Sequence, residues 1–153
     1  MATDIPEYYV TLSYLYGLFD YLADQSLDQE PLLQAINLPA DALNSPDMLL
    51  PVDSLDIACD MITTMTGDPL AAYWAGKQMR PSHLGIVGHM MLCCNSLEEL
   101  ALLASRYGRL ISNGARIDLV NDDGALSLHI HVATGRKIGP CRTSHDYNLG
   151  GWI

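Results

Sequence analysis

Positive charge is scarce in this sequence. Eight lysines and arginines stand against eighteen aspartates and glutamates, a formal net charge of -10. Lys77, Arg80, Arg106, Arg109, Arg116, Arg136, Lys137 and Arg142 form no long run. Nucleic acids and anionic lipids are bound through clustered Lys and Arg, so this chain alone is a poor binder of DNA, RNA or a membrane surface. Long apolar runs are missing as well, and none approaches the roughly 18 residues that suggest a membrane span. The opening MATDIPEYY has neither the basic region nor the apolar core of a signal peptide. Cys59, Cys93, Cys94 and Cys141 contain no CxxC pattern. A soluble, reduced, cytoplasmic protein is the expectation. There is also no GxSxG, HExxH, P-loop or GxGxxG, and the chain is expected not to be an enzyme.

What is present is globular. The 153 residues are 49% hydrophobic and 17% charged, which suits a single domain over 1–153 with a real core. That charged fraction is below the usual quarter or so, which suggests surface that is covered in the working protein.

Residues 7 to 23, EYYVTLSYLYGLFDYLA, are apolar or aromatic on most of a helical circumference, with Ser13, Gly17 and Asp20 as a narrow polar strip. One largely buried helix is predicted. Ser26 with Gln29 fits a capping box for a second helix ending near Ile36. NSPDMLLPVDSL reads as loop, and Asp53 as the N-cap of a third helix that buries Leu55, Ala58, Cys59 and Ile62. Thr66-Gly67-Asp68-Pro69 ends that helix and opens the next. His83 to Cys94 is apolar nearly all round and reads as a central buried helix. Ser96-Leu97-Glu98-Glu99 caps another helix, with a core stripe from Leu97 to Ile111 and Leu102 alone on its polar face.

The period then changes to two. Ile117 and Leu119, then Leu126, Leu128, Ile130 and Val132, each share one face, with Asn121 to Gly124 as a hairpin turn. Gly135 to Pro140 is predicted loop, and HDYNLGGWI reads as a helix that stops almost as soon as it starts. The expected class is α+β: about six helices, then a small antiparallel hairpin or sheet.

Chemistry-bearing side chains are few. On a helix His89 and Cys93 could face one ligand while Cys94 points away, but tetrahedral zinc wants three or four ligands. His129 and His131 share a strand face with no carboxylate or cysteine spaced to complete a set. No metal and no cofactor is expected, and the cysteines read as small apolar fillers.

The order of Leu50-Pro51-Val52, Thr66-Gly67-Asp68-Pro69, the Gly76 to Pro81 segment, Leu84-Gly85 with Gly88, and Ser96-Leu97-Glu98-Glu99-Leu100 to Tyr107 is a recognisable series. It resembles the N-terminal effector-binding domain of AraC-type bacterial transcription regulators, and within it the subgroup that includes ornithine-utilisation regulators. The resemblance runs over most of the chain, from residue 10 to 132 and onward. It implies a sensor that binds a small effector, often dimerises, and passes its state to a C-terminal pair of helix-turn-helix motifs. Those regulators continue well past the length of this chain, so DNA would be reached only through a C-terminal DNA-binding domain absent from these 153 residues. Tyr14, Trp74, His89, Met90 and Tyr107, amphipathic or adaptable side chains on core-facing helices, are the candidate effector-binding residues. Glu98, Glu99, Leu102, Arg106 and Arg109 are the candidate homodimer interface. The rival readings are a haem- or metal-binding sensor using His89, and a purely structural dimerisation module.

Overall fold

The computed structural model describes residues 6–122, 125–132 and 141–152, and it divides the first apolar stretch. The chain opens with β1 (Tyr9–Thr11), a 3-10 turn (Leu12–Leu15) and α1 (Tyr16–Asp24), so the single helix predicted for residues 7 to 23 is corrected. The reason is non-local. β1 pairs antiparallel with β2 (Leu49–Pro51), Val10 opposite Leu50, and the Thr11 amide donates to the Ile111 carbonyl at 2.8 Å. Partners from distant segments override the local helical pattern.

The core is built where that turn and helix meet their neighbours. Leu12, Leu15, Leu18 and Leu22 are all 0% exposed and share one cluster with Leu32, Leu55, Ala58, Cys59 and Ile62. Leu32 comes from α2 (Glu30–Ala35) and the last four from α3 (Asp53–Thr66). Burial pushes the Cys59 thiol well above its ordinary range, the behaviour of a small apolar filler rather than a nucleophile. Gly67 ends α3 at φ 69°, a left-handed conformation that glycine adopts without a Cβ penalty. The Asp68 carboxylate then accepts the Leu70 amide at 2.9 Å, just before α4 (Ala71–Gly76).

The final helix, α7 (Arg142–Trp152), runs for 11 residues and corrects the expectation of a helix that stops at once. Small residues make it possible. Ala72, Ala75 and Gly76 of α4 are buried, and a Cβ added at Gly76 would lie 2.1 Å from the Tyr147 carbonyl oxygen. The two backbones therefore touch, and Tyr147 reaches the core at 0% exposure. The start of α7 is tied to α3 by Asp60, whose carboxylate accepts from the Thr143 hydroxyl at 2.7 Å and from the Cys141 thiol at 3.1 Å.

α5 (Gly85–Met91) and α6 (Leu97–Tyr107) follow each other closely. In α5 Val87 is buried, but Ile86 is 66% exposed and Leu92 just beyond it 68%. The central buried helix expected here is thus a surface helix, because apolar residues on every side do not supply neighbours on every side. The cap of α6 is as read: Ser96 Oγ accepts the Glu99 amide at 3.1 Å, and the Glu99 carboxylate accepts the Asn95 amide at 2.6 Å. Ala101 and Ala104 are buried, while Leu97 and Leu110, assigned above to the core stripe, are exposed.

β3 (Ala115–Asp122) and β4 (Ala125–Val132) pair antiparallel, with Ile117 opposite Ile130 and Leu119 opposite Leu128. On the other face Asp118 accepts from Arg116 at 2.7 Å and lies 3.2 Å from His131. The turn at 123–124 and the loop expected at 135–140 lie outside the described residues. Among the described residues six α-helices precede the hairpin and one follows it, an α+β chain as expected. Among the described residues no helix is long and apolar enough to cross a membrane.

Candidate functional site

Among the described residues, two concave features and two buried polar clusters stand out as candidates for function. The smaller concavity, a cleft of about 90 Å³, gathers four separate segments. Thr11 and Ser13 come from β1 and the turn after it, Asp47 from the loop before β2, and Leu84 to Val87 from the start of α5. Leu110 and Ile111 come from the turn after α6. Thr11, Ser13 and Asp47 are its polar lining residues beside apolar ones, and among the described residues no basic or aromatic residue lines it. The larger is an open groove of about 460 Å³ between α5 and α6, lined by Met90, Cys93, Cys94, Glu99, Leu102 and Leu103.

The first buried cluster centres on Tyr147. Its hydroxyl donates to the Tyr14 carbonyl at 2.6 Å, and the Tyr14 hydroxyl donates to the Asn148 side-chain oxygen. The two rings meet edge to face, with centroids 5.8 Å apart. Burial raises both phenols well above the usual range, so they stay neutral hydrogen-bond donors. The second cluster is His83, 7% exposed. Its Nδ1 accepts the Arg80 amide at 3.3 Å, and its Nε2 faces the Asp20 carboxylate at 3.6 Å. Burial lowers its pKa, Asp20 raises it in part, and Arg80 lowers it further. Sequence reasoning singled out His89, and the buried histidine is His83. The available signal was Pro81, which opens the 3-10 turn Pro81–Leu84 and turns His83 back onto Arg80.

The candidate effector residues are distributed as follows. Tyr14 is committed to the Tyr147–Asn148 cluster. Trp74 is 44% exposed on α4 and packs edge-on against Tyr73. His89 is exposed on α5, its Nδ1 2.9 Å from the Gly85 carbonyl. Met90 lines the groove, and Tyr107 is half-buried beneath the Arg106 guanidinium, 5.5 Å from its ring centre. The cleft is lined by none of the five; its hydroxyls and Asp47 carry no sequence motif. Of the interface candidates, Glu98, Glu99, Leu102, Arg106 and Arg109 are all exposed, and Glu99 is occupied by the cap. Cys93 is exposed and Cys94 half-buried, so the pair are wall residues of a groove rather than core fillers. Among the described residues no three metal-ligating side chains gather.

A family model described as the arabinose-binding domain of AraC transcription regulators, N-terminal, matches residues 27–153. The ornithine utilization regulator of Pseudomonas aeruginosa is 24% identical over 119 residues, which cover 78% of this chain and 35% of that protein. The chain thus spans about a third of the length of the curated relative it matches. With most of its length matched by the family model, the chain belongs to the N-terminal arabinose-binding domain family of AraC-type transcription regulators.

Proposed function

We propose that this ligand-sensing regulatory domain binds a small effector in the cleft behind Thr11, Ser13 and Asp47, and that it self-associates through α6. The observation that carries the first part is the convergence of four distant segments on one cavity. A molecule held there bridges β1, the β2 loop, α5 and the turn after α6, so occupancy changes how firmly these elements are held together. That is a coupling of the kind a sensor needs. DNA reading belongs to the partner half of such regulators, consistent with a net charge of -10 on this one.

Self-association is supported by the pattern of α6. Glu98 and Arg106 each lie four residues from Leu102, on one stripe of the helix. Two copies crossing antiparallel about a two-fold axis at Leu102 would place Glu98 of each against Arg106 of the other. The adjoining groove, lined by Met90 and Leu103, would be covered in the same contact.

The test is thermal melting against a panel of small metabolites. It starts with ornithine, since a similar protein is named for ornithine utilization. A ligand at a hundredfold over its Kd stabilises by about 2.7 kcal/mol, a rise of roughly 5–10 °C for a domain of this size. A panel in which nothing moves the midpoint would refute the sensing role.

A further inference from the structure

The cleft also defines the chemistry of what it would hold. We infer that it takes the ammonium end of a short aliphatic amine, an inference that rests on reading the cleft as the effector site. Among the described residues Asp47 is the only charged one in the lining, and its carboxylate has no hydrogen-bond or ion-pair partner among them. The Tyr16 phenol is raised first by burial and then by the Asp47 charge.

Ser13 is 7% exposed. Its hydroxyl donates over a long 3.4 Å to the Thr11 hydroxyl, and both residues line the cleft. The lining residues Ser13, Thr11 and Asp47 carry side-chain oxygens able to accept hydrogen bonds. A primary ammonium offers three N–H donors and no acceptor, and an ionised pair makes those bonds stronger than neutral ones. Among the described residues no lining cation favours an anion and no lining ring favours a stacked sugar.

Size and walls set the rest of the molecule. A cavity of about 150 Å³ takes a benzene, so 90 Å³ takes a chain of roughly four heavy atoms. Leu84, Val87 and Ile111 would flank methylene groups, and a longer ligand would carry its remaining polar end out through the mouth.

The head group is isolated by titrating the whole chain, in an amine-free phosphate buffer, with 1-butylamine, 1,4-diaminobutane, 1-butanol and butanoate. The two amines should bind at least about tenfold more tightly than the alcohol or the acid, as a charge-assisted contact implies. Asp47 is exposed, so Asp47→Asn should leave circular dichroism and melting unchanged while lowering amine affinity by about tenfold. Ser13→Ala should weaken it by a few-fold. Butanoate or butanol binding as well as the amines would overturn the inference, as would amine binding indifferent to Asp47→Asn, or no amine binding up to tens of millimolar. A different metabolite that stabilises wild type and Asp47→Asn equally would overturn it too, while leaving the domain a sensor. Failure of the whole metabolite panel is the separate result that removes the sensing role.

Discussion

Replacing Gly76 with alanine tests the contact that holds α7 to the body of the domain. The added Cβ would sit 2.1 Å from the Tyr147 carbonyl oxygen, 3.0 Å from its carbon and 3.1 Å from the Gly150 Cα. All three atoms are backbone, so no rotamer change relieves the clash. Restoring ordinary contact near 3.4 Å requires α4 and α7 to part by more than an ångström, which loosens Tyr147 and its bond to the Tyr14 carbonyl. Overpacking of this kind costs about 1–3 kcal/mol, and a rigid obstacle puts this site at the upper end. Alanine recovers up to about 1 kcal/mol of helix propensity. The net expectation is a loss of about 1–3 kcal/mol, a fall in Tm of roughly 3–10 °C. Urea unfolding followed by tryptophan fluorescence suits the site, because Trp74 and Trp152 lie on the two helices concerned. Gly108→Ala is the control: nothing lies within 4 Å of its added Cβ, and its φ of -54° suits any residue, so it should be neutral or stabilising by up to about 1 kcal/mol. A Gly76→Ala protein as stable as wild type would refute the close approach of α4 and α7.

Tyr147→Phe removes the donor to the Tyr14 carbonyl and leaves a buried acceptor unpaired; chemical denaturation should register a loss of about 1–3 kcal/mol, and no loss would show the bond to be idle. His83, held below its ordinary pKa of 6.5 by burial, favours folding in its neutral form. That contribution is complete above pH 6.5 and disappears as pH falls through the lowered value. Wild type should therefore lose more stability than His83→Gln between about pH 7 and 5, and parallel pH curves would contradict the assignment. Leu102→Glu should convert a dimer to monomer in sedimentation at several concentrations, because it places an unpaired charge on the two-fold axis. The double exchange Glu98→Arg with Arg106→Glu should keep the dimer; a strict monomer in the wild type would remove α6 as an interface.

Several features decided by neighbouring residues were legible in the sequence, though not the Ser26–Gln29 capping box, since α2 starts at Glu30 with no side-chain cap, nor the Asp53 N-cap, since Val52 holds that position. Ser96 and Glu99 cap α6 because both partners lie within one turn, Gly67 ends α3 because its backbone conformation is local, and the alternation of Leu128 and Ile130 marks a strand. Features decided across the chain were not. Tyr9 to Thr11 leave the helix because Leu49 to Pro51 and Ile111 hold them as a strand, and nothing in EYYVTLSYLYG announces those partners. Ile86 and Leu92 look like core by composition, yet whether they are covered depends on surface that other elements supply. The reach of α7 into the core depends on Gly76 and Gly150 facing each other from opposite halves of the sequence. The cleft follows the same rule: a serine, a threonine and an aspartate carry no spacing signal when four segments bring them together.

Backbone amide shift mapping with the stabilising metabolite tests the sensing cleft most directly. Titration should move the amides of Thr11, Ser13, Asp47, Val87 and Ile111 together, with one saturation constant, since all five residues line one cavity. Shifts confined to the groove residues Met90, Cys94 and Leu103, or to α7, with the cleft amides unmoved, would contradict it.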